Sequence, residues 1–211
     1  LAIEDGMRES TQSWREVLLM LKARGMNAPK MAIGDGAMGF WSALEEIYPD
    51  TRHQRCWLHK TLNVLNAVPQ SIQPRVKHSL HEIWQAETRE QAHRAFDLFI
   101  NTFEAKYPKA TLTLQKDRDE LLAFYDFPAQ HWQSLRTTNP IESTFGTLRH
   151  RTKRSKGFLT RNGMLHMMFK LAECAQNKWR RQRGFDYLAK VITGVKFIDG
   201  IEAATIDQNA A

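Results

Sequence analysis

Apolar residues near the start of the chain recur first at helical spacing and then in short unbroken runs. Trp14, Val17, Leu18 and Leu21 fall at i, i+3, i+4 and i+7, one face of a helix over residues 10–24. Ser13 and Glu16 have the spacing of a capping box, and Gly25 supplies a stop. Ahead of it, residues 1–4 read as a strand already in progress, closing at Asp5-Gly6. Residues 30–34 predict a second strand, whose apolar run implies burial. Residues 36–48 predict a helix with Phe40, Trp41, Leu44 and Ile47 turned inward, and residues 51–56 a third strand. The order β-α-β-α-β implies parallel pairing with right-handed crossovers.

Beyond Cys56 the pattern becomes helical throughout. Ile72, Val76, Leu80, Ile83 and Trp84 make one apolar stripe. Phe96, Phe99, Ile100, Phe103 and Tyr107 make a second, and Leu114, Leu121 and Tyr125 a third. A last long helix is predicted over residues 161–182, with Met164, Met168, Leu171 and Ala175 on one side as core fillers. The expected fold class is α/β: residues 1–60 as the first part of a core, 61–135 as an all-helical insertion, 136–202 as the helices that complete the core. Residues 203–211 are small and polar, and fraying is expected there.

Charge changes this picture. The chain of 211 residues carries +7, but residues 136–183 hold twelve Lys/Arg against only Glu142 and Glu173, a local +10. A basic block of this kind points to a polyanion, most often nucleic acid; the plain alternative is a solvated basic surface. Cys56 and Cys174 do not make a disulfide framework, which favours a reducing, cytoplasmic compartment. No apolar run is long enough to cross a membrane, and no signal-peptide pattern is present.

Two carboxylates stand out. Asp35 lies between Gly34 and Gly36 after a predicted strand, the rim where α/β sheets place ligands. A turn-forming Asp explains the same pattern. Glu142 lies in Arg136-Thr137-Thr138-Asn139-Pro140-Ile141-Glu142-Ser143, where Thr138 or Asn139 can cap a helix and Pro140 fits its first position. The helix dipole then favours a carboxylate at Glu142. At about 100° per residue, Glu142, Gly146, Arg149 and Lys153 share a face. An acid, a gap and then cations suit a metal beside a phosphate chain; a capped, charged surface helix is the other reading. Asp35 and Glu142 together match the acids that hold two divalent ions in phosphodiester chemistry, where oxygen ligands suit Mg²⁺ or Mn²⁺.

Cys56-Trp57-Leu58-His59 has C-x-x-H spacing, but zinc needs two further ligands and no second pair is present. A supporting or packing role fits better. Phe124-Tyr125-Asp126-Phe127-Pro128 and His131-Trp132 could stack on unpaired bases, although docking the insertion on the sheet is the simpler use.

Taken in order, Gly34-Asp35-Gly36, Arg55-Cys56-Trp57-Leu58-His59-Lys60, Phe124-Tyr125-Asp126-Phe127-Pro128 and the Arg136–Ser143 block resemble the mutator-type transposases of bacterial insertion sequences. Trp41 and residues 63–74 share the likeness, which covers nearly the whole chain. The resemblance implies a partial ribonuclease-H-like catalytic core, a short mixed sheet with flanking helices, interrupted by the helical insertion. It implies a D-D-E triad binding two Mg²⁺ or Mn²⁺ ions, with Asp35 as the second acid and Glu142 as the third, 107 residues later. Cys56 and His59 match the family's C-x-x-H signature. The first acid is not matched: Asp5 is too close to Asp35 to fill that place, so the resemblance is to the C-terminal part of such an enzyme.

The implied reaction is cleavage of a DNA strand at the element end, followed by attack of the freed 3′-OH on target DNA. Arg136, Asn139, Arg149, Arg151, Lys153, Arg154 and Lys156 would contact DNA, the cations through backbone phosphates, which position DNA without reading sequence. A homo-oligomer, with a dimer to pair two ends, is expected by analogy. The alternative is a non-catalytic DNA-binding or subunit-pairing remnant of a transposase.

Overall fold

A computed structural model describes residues 2–3, 10–36, 38–154 and 160–203. In chain order the elements are α1 (Thr11–Ala23), β1 (Met31–Gly34), α2 (Met38–Ile47), β2 (Arg52–Arg55), α3 (Trp57–Leu65), α4 (Gln73–Gln85), α5 (Arg89–Phe103), α6 (Pro108–Gln115), α7 (Arg118–Leu121), α8 (Trp132–Leu135), α9 (Asn139–Arg154), α10 (Arg161–Gln176), α11 (Leu188–Thr193), β3 (Phe197–Ile198) and β4 (Ile201–Glu202). Short 3₁₀ turns at Ala123–Asp126 and Ala129–His131 join α7 to α8. These elements form two compact units, one of residues 1–30, 36–51 and 139–181, the other of 31–35, 52–138 and 182–211. The division cuts across the segments expected from sequence, because the chain passes between the units several times.

In the first unit α1 packs on α2. Ser10 caps α1, its hydroxyl accepting from the Ser13 N–H at 3.2 Å, so the cap lies three residues before the Ser13 expected from the Ser13–Glu16 spacing. Gly25, at φ +89°, ends the helix as expected, its N–H donating to the Lys22 carbonyl. Leu18, Trp41, Leu44 and Ile47 are buried, and Trp14 meets Phe40 edge-on at 5.0 Å. The Tyr48 hydroxyl donates to the Met26 carbonyl at 2.9 Å, tying the end of α2 to the turn after α1. Also in this unit, α9 packs on α10, which Thr160 caps through the Gly163 N–H and which stops at Gln176 rather than near 182.

The second unit holds the strand pair and the helical body. β1 and β2 are parallel, Met31 opposite Arg52 and Gly34 opposite Arg55, joined through α2 as the β-α-β pattern requires. The expected strand over residues 1–4 is not formed at Ala2 and Ile3; Leu1 and Glu4 lie outside the described residues. Gln54 has no exposed surface. Its amide donates to the Leu121 and Arg55 carbonyls, and its oxygen accepts from the Phe124 N–H at 2.8 Å. One buried side chain on β2 thus holds the strand against the insertion.

The three apolar stripes meet in that insertion. Val76, Leu80, Ile83, Phe96, Phe99, Phe103, Leu114, Leu121, Phe124 and Tyr125 are all buried in one cluster. Burying each of its large side chains contributes about 1.5–3 kcal/mol relative to exposure. The aromatic link is spent on this docking: the Tyr125 hydroxyl donates to the Ala86 carbonyl at 2.7 Å, and burial pushes its pKa up to about 12. The Trp132 indole donates to the Phe127 carbonyl. A feature absent from the sequence reading closes the unit. β3 and β4 pair as an antiparallel hairpin turning at Asp199-Gly200, where the Asp199 carboxylate caps α5 through the Arg89 N–H at 2.7 Å. Gly200 sits at φ +80°, and a Cβ there would come within 2.6 Å of the Ala129 Cβ.

A polar knot on the same body predicts acid sensitivity. The Arg118 Nε donates to His93 Nδ1 at 3.0 Å, a bond that requires unprotonated Nδ1, while another of its nitrogens donates to Asp97 at 2.6 Å. Burial, then the Arg118 and Arg89 charges, hold the His93 pKa below its usual value. The folded state therefore binds fewer protons than the unfolded one at this site. Its contribution is present above the unfolded value, about 6.5, and is lost as pH falls through the lower folded value. Unfolding free energy measured between pH 7.5 and 5 should fall more steeply for the parent chain than for His93→Gln, whose side-chain oxygen accepts at either pH.

Candidate metal and nucleic-acid site

Asp35 directly follows β1, exposed, between Gly34 and Gly36, and Gly36 takes φ +105°, a conformation that a side chain would strain. The parallel pair is what places it at a strand's C-terminal end. Glu142 is exposed in the first turn of α9, where the dipole favours its charge. The two acids belong to different compact units, Asp35 to the second and Glu142 to the first. Among the described residues, no group of three or more His, Cys, Asp or Glu stands close enough to hold a metal ion.

α9 carries the cations. Arg149, Arg151, Lys153 and Arg154 are all exposed along it, as is Asn139 at its first position; Lys156 lies outside the described residues. Gly146, one turn after Glu142 on the same face, has open space where a Cβ would be. The helix therefore presents an acid, a bare turn and then positive charge, as the spacing predicts, and only Leu148 on it is buried.

Arg136 is placed differently from the other cations. Its guanidinium carbon lies 4.5 Å from the Phe124 ring centroid, 5.2 Å from Trp132 and 5.5 Å from Trp84. Burial lowers its pKa. Its charge faces three aromatic faces inside the second unit, where cation–π attraction offsets lost hydration.

Cys56 and His59 open α3. Cys56 is buried, with Sγ 3.4 Å from both the Thr138 N–H nitrogen and the Thr138 Oγ1; His59 is half-buried. The neighbouring Lys60, only 1% exposed, donates to the Thr113 carbonyl at 2.8 Å and to the Asp117 carboxylate, which also accepts from Arg55 Nε at 3.0 Å. Burial holds the Lys60 pKa below its usual range, and Asp117 opposes that shift. Asp117 was missed from sequence because it lies in the polar run Gln115–Glu120, with nothing local to mark it as the partner of a lysine 57 residues earlier.

Comparison with known proteins follows the same residues. The model of the family described as "Transposase, Mutator family" matches residues 1–182. The chain is 53% identical over 202 residues to the transposase for insertion sequence element IST2 of Acidithiobacillus ferrooxidans, covering 95% of this chain and 68% of that protein. It is 48% identical over 200 residues to the transposase for insertion sequence element IS6120 of Mycolicibacterium smegmatis, covering 95% and 62%. The transposase for IS905 of Lactococcus lactis is 31% identical over 154 residues, and the chain spans only 39% of its length.

Proposed function

The chain belongs to the Mutator family of transposases, and on that premise we propose that it forms part of a ribonuclease-H-like region for DNA strand cleavage and strand transfer, with Asp35 and Glu142 as metal ligands. The observation that carries the reading is α9: an exposed acid in its first turn, followed by exposed Arg149, Arg151, Lys153 and Arg154. A parallel β1–β2 pair with an acid at the end of β1 supports an α/β core of this kind.

The donor chemistry fits a hard divalent cation. Mg²⁺ and Mn²⁺ take oxygen ligands, and Mg²⁺ is commonly held by one or two carboxylates together with water and substrate phosphates. Asp35 and Glu142 would supply the carboxylates; Cys56 belongs to packing. When bound, two such ions would activate the attacking oxygen and stabilise the leaving one. The chain's own contribution is to hold the strand. Arg149, Arg151, Lys153 and Arg154 neutralise backbone phosphates and set the register of the DNA along α9, without sequence readout. Arg136, held among its three rings, braces the second unit instead. Pairing two element ends would take two copies of the chain, so a homodimer is the proposed working form.

Phosphate binding of this kind is salt-dependent. Neutralising Arg149 and Lys153 together should flatten the slope of log affinity against log salt by roughly 2 for duplex DNA. A slope that does not change in Arg149→Gln/Lys153→Gln would put the DNA elsewhere.

A further inference from the structure

Within the second unit, the stretch through α8 and the segment leading to α11 line a cavity of about 450 Å³. Gln130, Trp132, Gln133 and Arg136 come from the first, Arg183 and Gly184 from the second. A close approach holds the two together. Gly184 sits at φ +68°, and a Cβ there would come within 2.5 Å of the Gln130 Cβ and 3.1 Å of the His131 ring. His131, only 2% exposed, places Nε2 2.9 Å from the Gly184 carbonyl oxygen. Arg183, the preceding residue, is thereby delivered to the cavity with its side chain exposed.

Two cations then share one cavity, and no acid is among the described residues that line it. Arg136 lacks a counter-charge as well. Among the described residues its Nε is buried without a hydrogen-bond partner. The ionisable group that acts on it is the Tyr125 phenol, neutral near pH 7 because burial pushes its pKa up to about 12. The rings of Trp84, Phe124 and Trp132 offset part of the lost hydration but bring no negative charge. A half-buried cation without an anion is costly, and a second cation on the same cavity adds repulsion. A bound anion would remove both costs.

We propose that this cavity binds a terminal phosphate, the monoester of a nucleotide, held between Arg136 and Arg183. A phosphate monoester carries about −1.5 to −2 at pH 7, which matches two guanidinium groups, whereas each phosphodiester of a strand carries about −1. Arginine suits the place, because its planar fork can stack on rings and still present N–H donors to phosphate oxygens. The cavity falls within the roughly 300–1,000 Å³ of small-ligand sites and has room for more than the phosphate. The Gln130 and Gln133 amides offer donors and acceptors to the rest of a nucleotide. The site uses neither Asp35 nor Glu142, so it stands apart from the metal reading.

The test is calorimetry on the whole chain without divalent metal, at pH 7.5. The probes are a deoxynucleoside 5′-monophosphate, a 5′-phosphorylated single strand and the same strand without that phosphate. The variants are Arg183→Gln, whose exposed side chain can be changed without disturbing the core, and Arg94→Gln, which removes the same charge from an exposed position on α5. The monophosphate should bind the parent chain, inorganic phosphate should compete with it, and Arg183→Gln should weaken it by about tenfold or more. Arg94→Gln should leave it unchanged. Tighter binding of the 5′-phosphorylated strand than of the free monophosphate would support the end of a strand as the source of the phosphate; the reverse would support a free nucleotide. A parent chain that binds no monophosphate would overturn the site, as would equal weakening by Arg183→Gln and Arg94→Gln. A strand that binds equally well with and without its 5′-phosphate, and loses as much in Arg183→Gln as the monophosphate does, would overturn the preference for a terminal phosphate.

Discussion

Asp117→Ala should destabilise the chain by about 3–5 kcal/mol, the usual cost of removing one partner from a buried ion pair. The Asp117 carboxylate accepts from the Lys60 ammonium and also from Arg55. Without it Lys60 keeps the Thr113 carbonyl but stays buried beside the Arg55 guanidinium, a like charge. Lys60→Met should cost much less, because a flexible apolar side chain fills the same space and Arg55 still satisfies Asp117. The double variant should recover much of the loss seen in Asp117→Ala alone. A pH dependence follows. Losing Asp117 lowers the folded pKa of Lys60 further below its unfolded value. The unfolded state then binds more protons between the two values, and stability rises with pH across that interval. The penalty of Asp117→Ala should therefore be larger at pH 7 than near pH 10. Urea unfolding of the three variants at both pH values checks this; a penalty under about 1 kcal/mol at pH 7 would mean that the network contributes little.

The same network shows what can be read from the sequence and what cannot. Apolar spacing is local information, so the stripes through Val76, Leu80 and Ile83, and through Phe96, Phe99 and Phe103, gave both helices and the buried cluster they form. The pair β1–β2 followed from the order of elements, even though Arg52-His53-Gln54-Arg55 has no apolar run of its own. Polar partners are another matter. Gln54 meets Leu121 and Phe124, and Lys60 meets Asp117, across more than fifty residues, and no local pattern marks such pairs. Arg136 is the clearest case. Its charge and its place in a basic block counted it among DNA contacts, whereas its surroundings depend on rings at 84, 124 and 132.

Two signals were local and were read otherwise. Asp199-Gly200 between Phe197-Ile198 and Ile201-Glu202 is a hairpin pattern, but strands of two residues are too short to show period-2 alternation. Ser10 and Ser13 stand three apart ahead of the same apolar face, and the Glu at 16 favoured the wrong one. The candidate acids differ again. Helix-start chemistry at Pro140 and the glycines around Asp35 marked both positions and suggested a pair of metal-binding acids, but their places as second and third acids of a triad came from the family likeness.

That role is the central claim, and it carries the largest expected effect. Carboxylates supply all the protein ligands that the reading allows a hard ion, so truncating either acid should remove the site rather than weaken it. The loss should exceed the 10–100-fold seen when only an outer contact is removed. The measurement that tests it most directly is Mg²⁺ and Mn²⁺ calorimetry on this chain beside Asp35→Ala and Glu142→Ala, with circular dichroism to confirm that each variant is folded. The account predicts binding in the parent chain and its loss in both variants. Binding that survives both substitutions, or its absence from the parent chain, would contradict it.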